Sequence, residues 1–409
     1  MEAVLNQSSA MQQRFEIADP SQISFARRGI GELAQRVGCS ETAIGRLAIV
    51  VTECATNQLK HAQRGELLAR TLHALAPDSS PAARAGVELL AIDNGPGIHD
   101  LHACFVDGYT TAGSPGTGMG AINRLADELD VWSAPGLGTI LRVVVWADGG
   151  AATNSVANSV TNGATNGAAT TADPAAPLAE FAASTGSHAG SHTATATPPV
   201  EYGAINLPLQ GEILCGDGWS CGYADGEFTV MVADGLGHGP LAHQAARAAV
   251  DNFAQLGPSS VEQIVVAAHQ ALRPTRGAAL GVARIPLGAN GGEPPQPGST
   301  GANAAARFCG IGNIAASVWT PHAHRHLVSH AGIAGHQMHK AQAFQVDWPD
   351  DALLILHSDG LATRWDLSRY PGLTLRHPAL IAAALYRDFA RGRDDLTVFV
   401  ARVPRKESV

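Results

Sequence analysis

The run Thr229-Val230-Met231-Val232-Ala233-Asp234-Gly235-Leu236-Gly237-His238-Gly239 decides the reading of the second half of this chain. Its first part is a short apolar run of the kind that forms a buried strand, and the strand delivers a carboxylate at its end. The run Leu353-Leu354-Ile355-Leu356-His357-Ser358-Asp359-Gly360 repeats the arrangement. A rigid strand ending in Asp is how a fold fixes a hard cation. Asp-Gly is also a common hairpin turn. With 21 Asp and 45 Gly in 409 residues, about two such pairs are expected by chance, whereas six occur, at 107, 148, 217, 225, 234 and 359. Asp148 and Asp225 read as turns. Asp217 in Cys215-Gly216-Asp217, and the pair Asp394-Asp395 before Leu396-Thr397-Val398, add acids far apart in sequence.

Outward from these runs, β-rich stretches are expected at Phe228–Ala233, Ala352–His357 and Leu396–Val400, with Ala-rich helices at about 241–256 and 261–272. Residues 151–200 break the composition: Ala, Thr, Ser, Asn, Gly and Pro fill 41 of 50 positions, and Phe181 is the only aromatic. Such a segment cannot bury enough apolar surface to offset the entropy of ordering it, so it reads as a disordered linker. Its random-coil span of roughly 35–42 Å would let two tethered domains reach one partner. Leu287–Asn303, rich in Gly and Pro, reads as a surface loop.

Before the linker, Ser40 to Ala62 has helical spacing at Ile44, Leu47, Ala48, Val51 and Ala55, with Ser40 as N-cap and Glu41 in the first turn. Strands are expected at Val87–Ile92 and Leu141–Trp146, and a helix near Gly120–Leu129. Glu53, Asn57 and His61 stand at i, i+4 and i+8 and share one face of the first helix. Ile92-Asp93-Asn94-Gly95-Pro96-Gly97-Ile98 follows a strand, and Gly113-Ser114-Pro115-Gly116-Thr117-Gly118-Met119-Gly120 opens a helix. Glycines there let backbone N–H groups approach phosphates at a helix N-terminus.

Together these residues resemble the GHKL ATP-binding family of histidine kinases, gyrase-like ATPases and anti-sigma serine kinases. Glu53-Cys54-Ala55-Thr56-Asn57 resembles its Glu-x-x-x-Asn helix, and Asp93-Asn94-Gly95-Pro96-Gly97 its Asp-x-Gly-x-Gly motif. Gly116-Thr117-Gly118-Met119-Gly120 resembles its Gly-rich lid, and Thr139 its last adenine-side position. The resemblance implies ATP with Mg²⁺: Asn57 on the metal, Asp93 on the adenine amino group, Gly95 and Gly97 in the turn, and the amides of Gly116, Gly118 and Gly120 on phosphate. Over roughly residues 14–147 it is nearest the RsbT-type switch kinases, through Asp107-Gly108-Tyr109-Thr110-Thr111-Ala112-Gly113 and Asn123–Val131. Those kinases phosphorylate Ser or Thr on STAS-domain proteins, which makes Glu53 the candidate base for the acceptor hydroxyl.

The acids of the second half resemble the metal-dependent Ser/Thr phosphatases (PPM family), in their SpoIIE/RsbX branch, over roughly residues 203–403. Gly216-Asp217, Asp234-Gly235-Leu236-Gly237-His238-Gly239, Ser358-Asp359-Gly360 and Asp394-Asp395-Leu396-Thr397 follow that family's order. The resemblance implies two Mn²⁺ or Mg²⁺ ions, roughly 3.5–4 Å apart, that acidify a water for in-line attack on phosphorus. Asp234 would bridge them and the Gly235 carbonyl complete one, while Asp359 and Asp394 hold the second. Asp217 would be a ligand or water-holder, with Asp395 as the substitute for Asp394. Hard, oxygen-only ligation argues against zinc and iron. His322, His324, His326, His330, His336 and His339 crowd one segment, where a polar strand face is the commoner meaning than a metal site.

The expected fold class is therefore α+β: an N-terminal GHKL (Bergerat-type) α/β sandwich over 1–150, a linker over 151–200, and a C-terminal PPM-type αββα sandwich over 201–409. The formal charge is −9 and no segment forms a basic stripe, so nucleic acid is excluded as the principal partner. Six cysteines without a Cys-x-x-Cys pair, no leader and no long apolar run point to a cytoplasmic chain without a membrane span. The expected function is a bifunctional regulator that adds and removes phosphate on STAS-domain proteins. The alternative is an ATP-dependent, anti-sigma-like binding module without kinase activity, fused to an active phosphatase.

Overall fold

A computed structural model describes residues 5–8, 11–62, 64–74, 84–105, 118–147, 200–257, 259–287 and 304–404. The expected linker lies outside these apart from Val200, as do Gly116 and residues 288–303 of the expected surface loop. Strand β1 (Leu5–Ser8) is followed by β2 (Gln13–Ile17), α1 (Pro20–Arg36), α2 (Glu41–Asn57), β3 (Gly65–Ala74) and β4 (Arg84–Asp93). Next come α3 (Leu101–Cys104), α4 (Gly118–Leu125), β5 (Glu128–Ser133) and β6 (Thr139–Trp146). Strands β2-β3-β4-β6-β5 form one antiparallel sheet, with α1 and α2 on one face.

Local chemistry accounts for the helix ends. Asp19 and Gln22 form a capping box ahead of α1, with Pro20 in the first turn, and the Ser40 hydroxyl accepts from the Ala43 amide to start α2. The α-helix expected to run to Ala62 instead widens into a π-helical turn over Gln58–Ala62. The Gln58 side chain is drawn into the sheet, where its amide donates to the carbonyls of Glu66 (3.0 Å) and Ile92 (3.1 Å). The extra residue in that turn takes His61 off the line of Glu53 and Asn57. The helix expected to Leu129 stops at Leu125. Asp127 there accepts from the Trp146 amide (2.7 Å) and pairs with Arg46 (2.8 Å), which releases Leu129 into β5 opposite Val143.

The second half runs β7 (Glu201–Leu207), β8 (Asp217–Ala224), β9 (Glu227–Gly235), α5 (Pro240–Gln255), α6 (Val261–Ala271), β10 (Ala278–Pro286) and β11 (Ala305–Ile311). It continues with β12 (Ala315–Thr320), β13 (Ala323–Leu327), β14 (Ser329–His330), β15 (Phe344–Asp347), β16 (Leu353–His357), α7 (Pro378–Phe389) and β17 (Leu396–Arg402). One sheet has the order β1-β8-β9-β10-β11-β14, with β15 also on β11; the other is β13-β12-β16-β17-β7. Trp219, Phe228, Phe308, Leu354 and Phe399 fill the space between them. Helices α5 and α6 cover the outer face of the first sheet through Ala245, Ala249, Phe253, Ile264 and Val265. Helix α7 covers the second through its contacts with β7 and β17, which completes the expected αββα sandwich.

Two features depart from a pair of tethered domains. Strand β1 pairs with β8, Leu5 opposite Tyr223 through Ser8 opposite Ser220, so it belongs to the C-terminal sheet rather than to the unit expected from residue 1. It covers what would otherwise be the open edge of β8. Helix α7 is buried continuously from Pro378 to Tyr386 because the N-terminal sheet packs on its other side, through Leu68, Leu90, Ile92, Trp132 and Ile140. That second covered face is why β4 and β6 are buried on both sides.

Candidate functional site

In the N-terminal pocket, α2 presents Glu53 and Asn57 towards the first residue of α4. A Cβ on Gly118 would lie 2.8 Å from a Glu53 carboxylate oxygen and 3.5 Å from the Asn57 carbonyl oxygen. The missing side chain at Gly118 is therefore what lets α4 approach that face. Asp93 ends β4, where its Oδ1 accepts from the amides of Gly95 (2.8 Å) and Thr139 (3.2 Å). Burial pushes the Asp93 carboxyl upward against the pull of those two amides. Gly97 has φ +74° and lies against the Ala134 carbonyl, so only glycine fits this turn. Gly120 is buried in α4, and exposed His61 contributes only a charge interaction with Asp93.

In the C-terminal half, sequence-distant acids meet at the ends of strands. Asp217 and Asp234 stand opposite each other in the β8–β9 register. Burial, then Asp359, Asp394 and Asp395, push the Asp234 carboxyl up to about 7. Asp217 is driven well above the carboxylate range by burial and by Asp234. Oδ2 of Asp217 and Oδ2 of Asp395 are buried without a hydrogen-bond partner. As they stand, no three His, Cys, Asp or Glu side chains among the described residues are close enough to ligate one ion. The donor set nevertheless fits a hard divalent cation: mutually repelling carboxylates, two of them with orphaned buried oxygens, gain a counter-charge when one draws them in.

The two candidates at 394 and 395 are separated by their surroundings. Asp395 is buried, accepts from the Leu209 amide (2.9 Å) and lies against Gly216, whereas Asp394 is half-exposed. Gly235 packs against the Ala242 carbonyl, which fixes the loop after β9. Several supporting residues lie beyond the expected set. Asn313 donates to Asp359 (2.7 Å), Ser358 accepts from the Thr397 amide (2.9 Å), and Asn206 donates to Thr397 (2.7 Å) and to the Asp217 carbonyl (3.3 Å). Glu212 pairs with His238 (2.8 Å) on the rim. The signal for Asn313 was the Gly310-Ile311-Gly312-Asn313 run; Asn206 and Glu212 had none. Of the crowded histidines, His324 packs its ring at a tilt against His326 and Trp365, beside the exposed polar face expected of β13.

Residues 17–145 match the family described as histidine kinase-like ATPase domain. This N-terminal part of the chain carries such an ATPase domain. It is similar to the serine/threonine-protein kinase RsbT of Bacillus subtilis (28% identity over 122 residues, 30% of this chain and 86% of RsbT). It is also similar to an anti-sigma F factor of Caldanaerobacter subterraneus (28% over 123 residues, 29% and 82%). The rest of the chain is similar to phosphoserine phosphatase RsbX of Bacillus subtilis (26% over 156 residues, 38% and 71%). A crystal structure of RsbX with magnesium superposes at a TM-score of 0.42 with 22% identity, covering 50% of this chain and 96% of that one. Among the described residues no helix is long and apolar enough to cross a membrane.

Proposed function

We propose that the chain is a bifunctional partner-switching regulator: its ATPase domain phosphorylates Ser or Thr on a STAS-domain protein, and its C-terminal domain removes that phosphate. The observation that carries the reading is the convergence of Asp217, Asp234, Asp359, Asp394 and Asp395 on one end of the αββα sandwich, in a chain that also presents Glu53 and Asn57 against Gly118. The similarity to a kinase, a phosphoserine phosphatase and anti-sigma factors supports the same assignment.

In the ATPase domain, Asp93 accepts from the adenine amino group, held in place by the Gly95 and Thr139 amides, and the α4 N-terminus faces phosphate. Asn57 would hold Mg²⁺, which neutralises phosphate charge when bound. Glu53 takes the proton of the acceptor hydroxyl as it attacks. In the phosphatase domain, Asp234, the Gly235 carbonyl, Asp359 and Asp394 would hold two Mn²⁺ or Mg²⁺ ions, which supply a water of lowered pKa. Asp217, on the adjacent strand, would be a further ligand or hold that water, while Asn313 fixes the Asp359 carboxylate. Asp395 holds the β7–β8 loop through Leu209.

The test uses the full chain with labelled ATP and a purified STAS protein, then the phosphorylated product with Mn²⁺. Label transfer that is lost in Glu53→Gln, and phosphate release that is lost in Asp234→Asn, are the expected results. Tight nucleotide-dependent binding of the partner without transfer would instead establish the anti-sigma-like module and overturn the kinase assignment. Undiminished release by Asp234→Asn would overturn the phosphatase site.

A further inference from the structure

Arg387 belongs to the last turn of α7, in the phosphatase domain, yet its guanidinium braces, from the sheet face opposite α2, the two backbone segments that hold Asp93 and Thr139 in the other domain. Its Nη1 donates to the carbonyls of Asp93 (3.0 Å) and Leu137 (2.8 Å). These carbonyls belong to the two segments joined by the Asp93–Thr139 hydrogen bond, the end of β4 and the Gly136-Leu137-Gly138-Thr139 turn. The side chain is 4% exposed and fixed on every side. Its Nε and Nη2 grip both carboxylate oxygens of Asp388 (2.8 Å each), which also accepts from the Tyr370 hydroxyl (2.6 Å), and the guanidinium lies 5.8 Å from the Trp132 ring centre. Gly138, at φ +78°, leaves room for this approach, since a Cβ there would strike the Asp93 carbonyl and come within 3.0 Å of Nη1.

The chain leaving that same end of α7 runs into the carboxylate centre. After α7, Ala390 bridges Leu361, the Ala362 amide donates to the Phe389 carbonyl (2.9 Å), and the Arg391 amide donates to the Gly360 carbonyl (2.8 Å). Those bonds tie the helix end to the Ser358-Asp359-Gly360 loop, and the chain then reaches Asp394 and Asp395. Gly360 itself packs against the Asp395 carbonyl. A shift of α7 along its axis would therefore move the adenine-side segments and two carboxylate-bearing loops together.

We propose that Arg387 is a positioning residue of the nucleotide pocket, and that through it α7 links nucleotide occupancy to the phosphatase centre as one equilibrium. The inference rests on nucleotide binding at Asp93 as proposed above and adds that the adenine-side segments are braced by the other domain. Such linkage is reciprocal for binding: whatever nucleotide does to the metal centre, the metal centre does to nucleotide affinity. Arginine suits the role because its planar fork can serve Asp388 and two carbonyls at once.

The experiment uses the full chain at fixed free Mn²⁺, with a fluorescent ATP analogue for affinity and p-nitrophenyl phosphate for hydrolysis. In the wild type, saturating non-hydrolysable ATP is expected to change hydrolysis or Mn²⁺ half-saturation at least about fivefold, the lower end of ordinary coupling. Arg387→Ala should weaken nucleotide affinity about tenfold, the scale of a lost charge-assisted hydrogen bond, and bring the nucleotide response to one. Arg387→Lys should restore part of both. Tyr386→Phe removes a neighbouring cross-domain bond, to Glu66 (2.9 Å), and should leave affinity and response as in the wild type. Equal losses in Tyr386→Phe and Arg387→Ala would show a general docking effect and overturn the positioning role. Unchanged affinity in Arg387→Ala, or a wild-type response of one, would overturn the inference while leaving the proposed function intact. Absence of nucleotide binding in the wild type would overturn both.

Discussion

Glu88→Gln tests how much the buried ion network of the N-terminal sheet, beneath the contact with α7, contributes to stability. Glu88 lies on β4, on the face turned to α7, with its carboxylate between Arg70 (2.6 Å) and Arg142 (2.7 Å); all three side chains are under 10% exposed. Arg70 also lies 5.7 Å from the ring centre of Trp219, across the domain boundary, and Arg142 continues to Glu128 (2.9 Å). Burial opposes the charge on Glu88, but Arg70, Arg142 and nearby His377 overcome it and hold the carboxyl down to about 2, from 4.5. At 1.36 kcal/mol per unit that difference is worth about 3 kcal/mol, within the roughly 3–5 kcal/mol typical of stranding a buried partner. The amide keeps the volume and removes the charge, so urea unfolding followed by tryptophan fluorescence at pH 7 should show a loss of about 3 kcal/mol. Because the folded-state pKa is depressed, this stability is fully present above about 4.5 and is lost as pH falls through about 2. Wild-type stability should therefore fall across that window, and the fall should be smaller in the variant. A Glu88→Gln protein within about 0.5 kcal/mol of the wild type, with the same acid slope, would refute the reasoning.

Other variants probe the sites one group at a time. Asp93→Asn should weaken binding of a fluorescent ATP analogue by about 10–100-fold, since it removes a charged acceptor from a buried pocket. Glu53→Gln should lower phosphoryl transfer by roughly 10²–10⁴-fold at unchanged nucleotide affinity, read by label transfer and by titration on the same preparation. Asn313→Ala, which frees Asp359, should weaken Mn²⁺ activation by about 10–100-fold while saturating Mn²⁺ recovers most of the turnover. Gly138→Ala should cost about 1–3 kcal/mol in thermal or urea unfolding, because its φ of +78° and the Asp93 carbonyl both oppose a Cβ.

The strand-end position of the acids was legible in the sequence because an apolar run fixes the backbone and the residue that follows it is held at the end of the sheet. The start of α2 was legible for a similar reason, since Ser40 and Glu41 act on neighbours within one turn. The π-turn after Asn57 was not, because its cause is the Gln58 amide bonding to Ile92, 34 residues away. Nor could adjacency choose between Asp394 and Asp395, whose difference lies in the remote Leu209 amide and in Gly216.

Domain docking shows where single-sequence reasoning stops. Pro378-Ala379-Leu380-Ile381-Ala382-Ala383-Ala384-Leu385-Tyr386 is apolar all round, the mark of a helix buried on every side. The alternate residues of β4 likewise demand two covers. Neither pattern names its partner, so each is satisfied in principle by any apolar surface. The charges decide it: Asp130 accepts from the His377 amide (2.8 Å) and pairs with Arg376 (3.4 Å). A merely hydrophobic contact would tolerate sliding of α7 on the sheet. These directional bonds, with Arg387 at the far end, fix its position along the axis, and a fixed position is what a helix needs if a change in one active site is to be felt in the other.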